Sequence, residues 1–304
     1  MLSHTPVLLK ETLELLSPTA GERALDVTLG LGGHSEAILQ KILPGGSLVA
    51  LDADPENIDR AKKRLSAFDD VLTIMQSNFL LLPDCLPEDK REFDVILADL
   101  GISSPHIDDP ERGFSFRQNA PLDMRFDQSS GMTAAMLLAS LHRERLITIF
   151  RDFGELPAVH RFVDAIIERR AENPVRTSDD LKNVASQIYS YKAPQMLPQI
   201  FQALRIAVNR ELDALKRFLE IAPQLLACGG RLAVISYHSL EDGLVKASFR
   251  TLCTSIKDPV TGSVSEESAC ELLTKRPIRP DEEETKMNPR SRSARLRAIA
   301  KRPE

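Results

Sequence analysis

The chain of 304 residues has no tryptophan, only three tyrosines and only four cysteines. The cysteines form no Cys-x-x-Cys pair, which argues against a zinc site or a disulfide framework and predicts free thiols in a reducing, cytoplasmic location. The six histidines show no spacing such as His-Glu-x-x-His, so the sequence predicts no metal site.

Long apolar runs and a basic overall charge are also missing. Lys10, Glu11 and Glu14 interrupt the apolar start of the chain, so we expect neither a signal peptide nor a membrane-spanning helix there. The net charge of −5 argues against a protein that binds nucleic acid over its whole surface. Seven Lys or Arg residues nevertheless lie between Lys286 and Glu304. This segment favours phosphate contact, with a solvated tail as the alternative.

The most informative motif is a glycine-rich turn between a strand and a helix. An apolar strand over 24–27 leads into Gly30-x-Gly32-Gly33, and a helix pattern starts at Ser35. A second strand pattern ends at Asp52, about 20 residues after the turn. This arrangement is typical of a site for an adenosine-containing cofactor, in which Asp52 accepts hydrogen bonds from ribose hydroxyls.

The glycine pattern also bears on which cofactor is bound. A dinucleotide loop has the form Gly-x-Gly-x-x-Gly, but Ser35 occupies the last glycine position here. S-adenosylmethionine has no phosphate and needs only close approach of the backbone, so the loop favours this cofactor. A nicotinamide-dependent oxidoreductase and a plain tight turn are the alternatives.

Strand and helix patterns alternate through the first hundred residues and predict a parallel α/β sheet. From about residue 105 to 195 the sequence shows helix patterns without strands, and Thr177 to Asp180 resembles a capping box. We therefore predict a helical insertion. Further expectations are a single helix over 199–219 that returns to the sheet, a buried strand over 231–237, and a half-exposed edge strand over 294–298.

Polar residues follow two of the predicted strands. Asp99 comes at the end of the fourth strand pattern and His238 follows the fifth. Because the carboxyl ends of parallel strands face the ligand, both are candidate catalytic residues. The alternatives are that Asp99 caps a turn, and that Ser239 caps a helix while His238 is solvated.

A loop in the predicted insertion places aromatic rings next to arginines. Arg112, Phe114, Phe116 and Arg125 form a mixture that suits single-stranded nucleic acid, since bases stack on rings and phosphates bind arginines. The alternative is a loop that folds onto its own aromatics.

Several motifs, in the same order along nearly the whole chain, resemble the bacterial small-subunit ribosomal RNA (cytosine-N4)-methyltransferase H family. They are His4-Thr5-Pro6-Val7-Leu8, Asp26 to Ser35, Asp99 to Pro105, Arg112 to Phe116 with Pro121 to Arg125, Phe201 to Ile206 with Val208-Asn209, Ser236 to Asp242, and Asn288 to Ser293.

The resemblance implies a class I S-adenosylmethionine-dependent methyltransferase fold, Rossmann-like with a mostly parallel seven-stranded sheet and an inserted all-helical domain. The implied methyltransferase domain is discontinuous, 1–105 with 196–304, and residues 106–195 form the inserted substrate-recognition domain. The implied activity is methyl transfer to the N4 amine of a cytidine in the decoding region of 16S rRNA. The small ribosomal subunit is the implied partner, and no membrane is involved.

The same resemblance implies which residues bind cofactor and RNA. The implied cofactor contacts are Gly32, Gly33, His34, Asp52, Phe79, Asp99 and His106. Arg112, Phe114, Phe116, Arg125, Arg290 and Arg292 are candidate RNA contacts. His106 stands where many relatives have Gln, and Gly243 stands where Arg is usual. The alternatives are a methyltransferase for another RNA or a small molecule, and an RNA-binding module without catalysis.

Overall fold

A computed structural model describes residues 6–87, 91–257 and 264–303. His4 and Thr5 of the first motif therefore lie outside the described residues. The chain divides into two compact units. Residues 1–101 and 213–304 form the sheet unit, and residues 102–212 form the helical unit.

The sheet unit is built on seven strands. Their bounds are β1 Arg23–Asp26, β2 Ser47–Asp52, β3 Leu72–Gln76, β4 Phe93–Asp99, β5 Leu226–Ser236, β8 Cys270–Leu272 and β9 Arg295–Lys301. The strand order is β3-β2-β1-β4-β5-β9-β8. The first five strands pair in parallel, whereas β9 runs antiparallel to β5 and β8 antiparallel to β9. The predicted mostly parallel, seven-stranded α/β sheet is confirmed. A separate hairpin pairs β6 (Ile256–Lys257) with β7 (Val264–Glu266).

Helices cover both faces of this sheet. Those that lie wholly or mostly in the sheet unit are α1 Leu9–Leu16, α2 Gly33–Ile42, α3 Pro55–Leu65, α10 Glu211–Ile221, α11 Ser239–Leu252 and α12 Glu282–Met287. Strands β1, β2 and β4 are apolar on both faces because each strand lies between two buried hydrophobic clusters, and each face packs against one of them. The crossovers bring the carboxyl ends of β1, β2, β4 and β5 to a single edge, where the candidate site lies.

The position of the C-terminal strand differs from the prediction of an edge strand. β9 lies between β5 and β8, and its central residues are buried, so it is not a half-exposed edge strand. Its alternating arginines suggested exposure, but Arg295 and Arg297 both pair with Asp242 on α11, at 3.3 Å and 2.7 Å. A neutralised arginine can occupy an interior strand because its charge is compensated.

The helical unit contains α4 Ser104–Asp108, α5 Ala134–Ser140, α6 Arg143–Asp152, α7 Val159–Arg170, α8 Ser178–Tyr189 and α9 Ala193–Asn209. Its core is apolar and includes Phe150 and Phe162, whose rings meet edge to face at 5.0 Å. Thr177 caps α8 in a capping box with Asp180, as predicted.

The predicted single helix over 199–219 is wrong. α9 ends at Asn209, its C-cap Arg210 has a left-handed φ of 53°, and α10 starts at Glu211. α9 packs in the helical core, and only α10 carries Leu215 and Phe218 into the sheet unit. The units divide at 101/102 and 212/213, whereas the sequence analysis placed the domain boundaries at 105/106 and 195/196. The assignment of 106–195 as a substrate-recognition domain stays a prediction. Within the described residues, every helix is too short or too polar to cross a bilayer.

Candidate functional site

The glycine-rich turn starts α2 and packs closely against neighbouring side chains. Gly32 is the N-cap of α2 with a φ of 78°, a left-handed conformation that favours glycine. A Cβ on Gly32 would lie 3.0 Å from the Leu65 side chain, and a Cβ on Gly33 would collide with Pro6. The turn therefore requires glycine at both positions.

Asp26, the last residue of β1, holds this turn through hydrogen bonds. Its buried carboxylate accepts hydrogen bonds from Ser35 Oγ at 2.7 Å and from the Thr28 N–H at 3.0 Å. Burial raises the pKa of Asp26, although the bonds from Ser35 and Thr28 act in the opposite direction. Thr28 Oγ1 in turn accepts the backbone N–H of Asp99 at 2.6 Å, which ties the turn to the end of β4.

Asp52 closes the turn from the neighbouring strand. Its Oδ2 accepts the Gly30 N–H at 2.7 Å, and its Oδ1 accepts the Asp54 N–H at 2.8 Å. Burial raises the pKa of Asp52 to about 7, even though these backbone bonds favour the ionised form. A carboxylate has about four lone-pair positions, so Asp52 can hold the turn and still accept from a ribose hydroxyl.

Asp99 connects three elements at the carboxyl edge of the sheet. Tyr237, which follows β5, donates its phenol O–H to Asp99 Oδ1 at 2.8 Å. On α2, His34 Nε2 lies 3.6 Å from Asp99 Oδ2. The Asp99 side chain is 23% exposed and thus remains accessible to a ligand, whereas His34 is buried.

His34 provides a test of whether a cofactor fits this edge. Among the residues that the structure describes, neither ring nitrogen of His34 has a hydrogen-bond partner. Buried polar groups in native proteins normally have one, so this ring is suited to a polar ligand group. Together with the accessible carboxylate of Asp99, the buried imidazole fits a small polar cofactor.

His238 and Glu241 form the start of α11. His238 is the N-cap residue, and its Nδ1 accepts the Glu241 N–H at 3.4 Å. Glu241 is buried and its carboxylate accepts the Tyr237 N–H at 2.8 Å. The alternative of Ser239 as N-cap is therefore wrong, and so is a solvated His238, because its side chain is only 8% exposed.

Comparison with known proteins assigns the chain to a family. The model of the MraW methylase family matches residues 1–302. The chain belongs to the MraW methylase family. Three curated relatives are each named ribosomal RNA small subunit methyltransferase H. That of Thermomicrobium roseum is 42% identical, covering 97% of this chain and 93% of the relative. That of Syntrophobacter fumaroxidans is 42% identical, covering 99% and 97%, and that of Halothermothrix orenii is 39% identical, covering 98% and 98%.

Two further cofactor contacts implied by the MraW family resemblance lie in different units. Phe79 follows β3 in the sheet unit, and its half-buried ring meets Phe218 edge to face at 5.8 Å. His106 is buried in α4 of the helical unit, where its Nδ1 accepts the Ser103 N–H at 3.1 Å. Their contact with a cofactor stays a prediction.

The arginine-aromatic loop of this MraW family member folds onto itself. Arg112 is buried and donates to the carbonyls of Arg125 and Phe126 at 3.0 and 2.9 Å. Phe114 is buried, and Phe116 packs against Phe201 at 5.2 Å. Arg125 forms a fork with Asp123, with N–O distances of 2.9 and 2.8 Å. These contacts agree with the alternative stated for this loop, and RNA contact by these four residues stays a prediction.

Some basic side chains of the C-terminal segment are held within the sheet unit, and others are exposed. Arg295 and Arg297 pair with Asp242, and Lys301 donates to the Leu226 carbonyl at 2.7 Å. Arg290 and Arg292 lie in a 3₁₀ turn immediately before β9, and both are exposed. Ser236 of β5 is in register with Arg295, so this turn adjoins the carboxyl edge of the sheet.

Three residues of this MraW family site have roles that were not predicted from the sequence: Asp26, Tyr237 and Glu241. Asp26 lies at the end of β1, two residues before a threonine, which is a pattern typical of a side chain that caps its own turn. The spacing between His238 and Glu241 is that of a capping box, which could have been recognised. Tyr237 carries no local signal, because its partner Asp99 is 138 residues away.

Proposed function

We propose that this MraW family protein transfers a methyl group from S-adenosylmethionine to the N4 amine of a cytidine in the decoding region of 16S rRNA, in the small ribosomal subunit. The observation that carries the proposal is the cluster at the end of β4. An accessible Asp99 carboxylate lies beside the buried His34 ring, which has no hydrogen-bond partner in the described part of the chain, next to a glycine turn closed by Asp52. The names of the relatives support ribosomal RNA as the substrate.

The proposed cofactor residues divide by function. Gly32 and Gly33 allow the tight turn that starts α2 at the cofactor edge, and Asp52 accepts from the ribose hydroxyls. His34 supplies a polar contact, with Phe79 and His106 as further predicted contacts. When bound, S-adenosylmethionine supplies a methyl group activated by its sulfonium.

The acceptor amine is a poor nucleophile because its lone pair is delocalised into the cytosine ring. Methylation of N4 would use the methyl group that the bound cofactor supplies, and the amine would release one proton to solvent. Asp99 accepts an N–H of the amine and orients it. Holding reactants at near-attack distance contributes about 7–11 kcal/mol in favourable cases. The target base must leave any stack to reach such an edge.

Arg290 and Arg292 are the RNA contacts that the structure supports best. Both are exposed beside the carboxyl edge, whereas Arg112 is buried in the helical unit. We expect Arg292→Ala to weaken RNA binding and to lower the slope of log affinity against log salt by about 1. Lys63→Ala, an exposed cation on α3, is the matched control and should leave the slope unchanged.

The deciding experiment measures transfer of labelled methyl from S-adenosylmethionine to small subunits that lack the modification. Naked rRNA and large subunits are the controls, and nucleoside analysis identifies the product. N4-methylated cytidine that appears only with the small subunit supports the proposal. Asp99→Ala should abolish transfer while the protein stays folded, and the exposed Asp70→Ala should not. Cofactor binding without transfer to the small subunit would require a different acceptor.

A further inference from the structure

Tyr237 is held firmly in the sheet unit. Its phenol donates to Asp99 Oδ1 at 2.8 Å, and its backbone N–H donates to Glu241 at 2.8 Å. The ring packs against the backbone of Gly101, where an added Cβ would lie 3.4 Å from a ring carbon. Gly101 has a φ of 97°, so the chain after β4 turns closely over this ring. Contacts therefore fix the backbone N–H, the ring and the phenol oxygen of Tyr237.

This arrangement makes the two oxygens of Asp99 unequal. Oδ1 is engaged by the phenol, whereas Oδ2 faces His34 at 3.6 Å, beyond hydrogen-bond distance. Among the described residues of the sheet unit, Oδ2 receives no hydrogen bond. Without the phenol, the carboxylate could rotate about χ2, since this torsion is broad and nearly two-fold.

We propose that Tyr237 is a positioning residue for the methyl transfer, because its phenol fixes Asp99 Oδ1 and so presents Oδ2 to the acceptor amine. The inference rests on the proposed function. It assigns Tyr237 a part in the chemistry that is exerted through Asp99.

The charged groups around this pair are consistent with a phenol that stays protonated. Burial raises the pKa of Tyr237 well above its usual value, and the Asp99 carboxylate, Glu241 and Glu284 raise it further. Asp26 and His34 are the other titratable groups that face Asp99. A neutral phenol can donate or accept, but an ionised carboxylate can only accept, so the Tyr237 O–H is the donor in this bond.

Kinetics of single and double variants test the inference. We expect Tyr237→Phe to lower kcat on the order of tenfold, with KM for S-adenosylmethionine changed less than about twofold, because a hydrogen bond to a charged group is lost. If Tyr237 acts through Asp99, Tyr237→Phe combined with Asp99→Asn should be no slower than Asp99→Asn alone. Tyr189→Phe is the matched control, since Tyr189 donates to the Pro157 carbonyl in the helical unit.

A second readout does not depend on activity. With three tyrosines and no tryptophan, ¹³C labelling at Cζ resolves each phenol, and Tyr→Phe variants assign the signals. Asp99→Asn should move the titration of Tyr237 toward the ordinary range and leave Tyr189 unchanged. An unchanged Tyr237 titration would overturn the inference, as would Tyr237→Phe with wild-type kcat or with losses that add to those of Asp99→Asn. A wild-type protein that binds cofactor but cannot methylate small subunits would overturn the proposed function instead.

Discussion

We expect the affinity of the cofactor-free protein for adenosine to fall about tenfold when the pH is lowered from about 8 to about 6, because the ionised form of Asp52 is lost. Burial raises the pKa of Asp52 from its usual 3.8 to about 7. The ionised fraction is therefore about 90% one pH unit above that value and about 10% one unit below it. The hydroxyls of the ribose require the ionised carboxylate as a strong acceptor.

Titration calorimetry with adenosine and with 2′,3′-dideoxyadenosine separates this effect from others. The dideoxy compound lacks both ribose hydroxyls, so its weaker affinity should stay constant over the same pH range. Asp52→Asn should remove the pH dependence of adenosine binding. An adenosine affinity that is constant over this range in the wild-type protein would refute the reasoning.

The stability of the cofactor-free protein should change in the opposite direction. The pKa of Asp52 is higher in the folded protein than in the unfolded chain, so its contribution to stability is complete below about 4 and lost as the pH rises through about 7. On this contribution alone, acidification from pH 8 to 6 stabilises the fold while weakening adenosine binding. The two opposite trends exclude partial unfolding as the cause of a lower affinity.

Three further predictions concern α11 and the cysteines. His238→Asn replaces the capping Nδ1 by an amide oxygen that can also cap α11, and it removes the imidazole, so thermal unfolding should change little. A loss of methyl transfer would then assign the ring a catalytic role. Gly243→Ala should raise the free energy of unfolding in urea by about 1 kcal/mol, because a Cβ on this exposed helical glycine meets open space, and a decrease would contradict this. At pH 8 an alkylating reagent should modify the exposed Cys228 before Cys253, whose pKa burial raises to about 11, and peptide mass spectrometry gives the order.

The parallel core could be predicted because its strands are apolar on both faces. Strand β1 lies within one residue of the predicted 24–27 and β2 ends at the predicted Asp52, since both runs are bounded by charged or turn residues. β9 was assigned to an edge because alternating arginines normally indicate solvent. The compensating Asp242 is more than 50 residues away in the chain, and no local pattern could show it.

The break between α9 and α10 was unpredictable for a similar reason. Arg210 is neither glycine nor proline, yet it adopts a left-handed φ. The preceding Asn209 bonds the Met124 carbonyl and the Phe126 N–H, contacts to a distant loop that hold the end of α9. In the site, the positions of the glycine turn, Asp52 and Asp99 could be predicted from where the strands end. The orientation of each carboxylate depends on partners such as Tyr237 that only the folded chain brings near.

The position of β5 and β9 in the chain has a consequence for synthesis. β4 emerges from the ribosome with a bare edge, since its partner β5 begins only at Leu226, after the whole helical unit. At a synthesis rate of about 5–20 residues per second, this edge stays unpaired for on the order of ten seconds. The buried residues of the helical core all lie within 114–204, so they are synthesised during this interval. An unpaired apolar strand is a template for wrong pairing. The nascent chain should therefore be most vulnerable to aggregation in that interval, and a chaperone that binds extended apolar segments should act there.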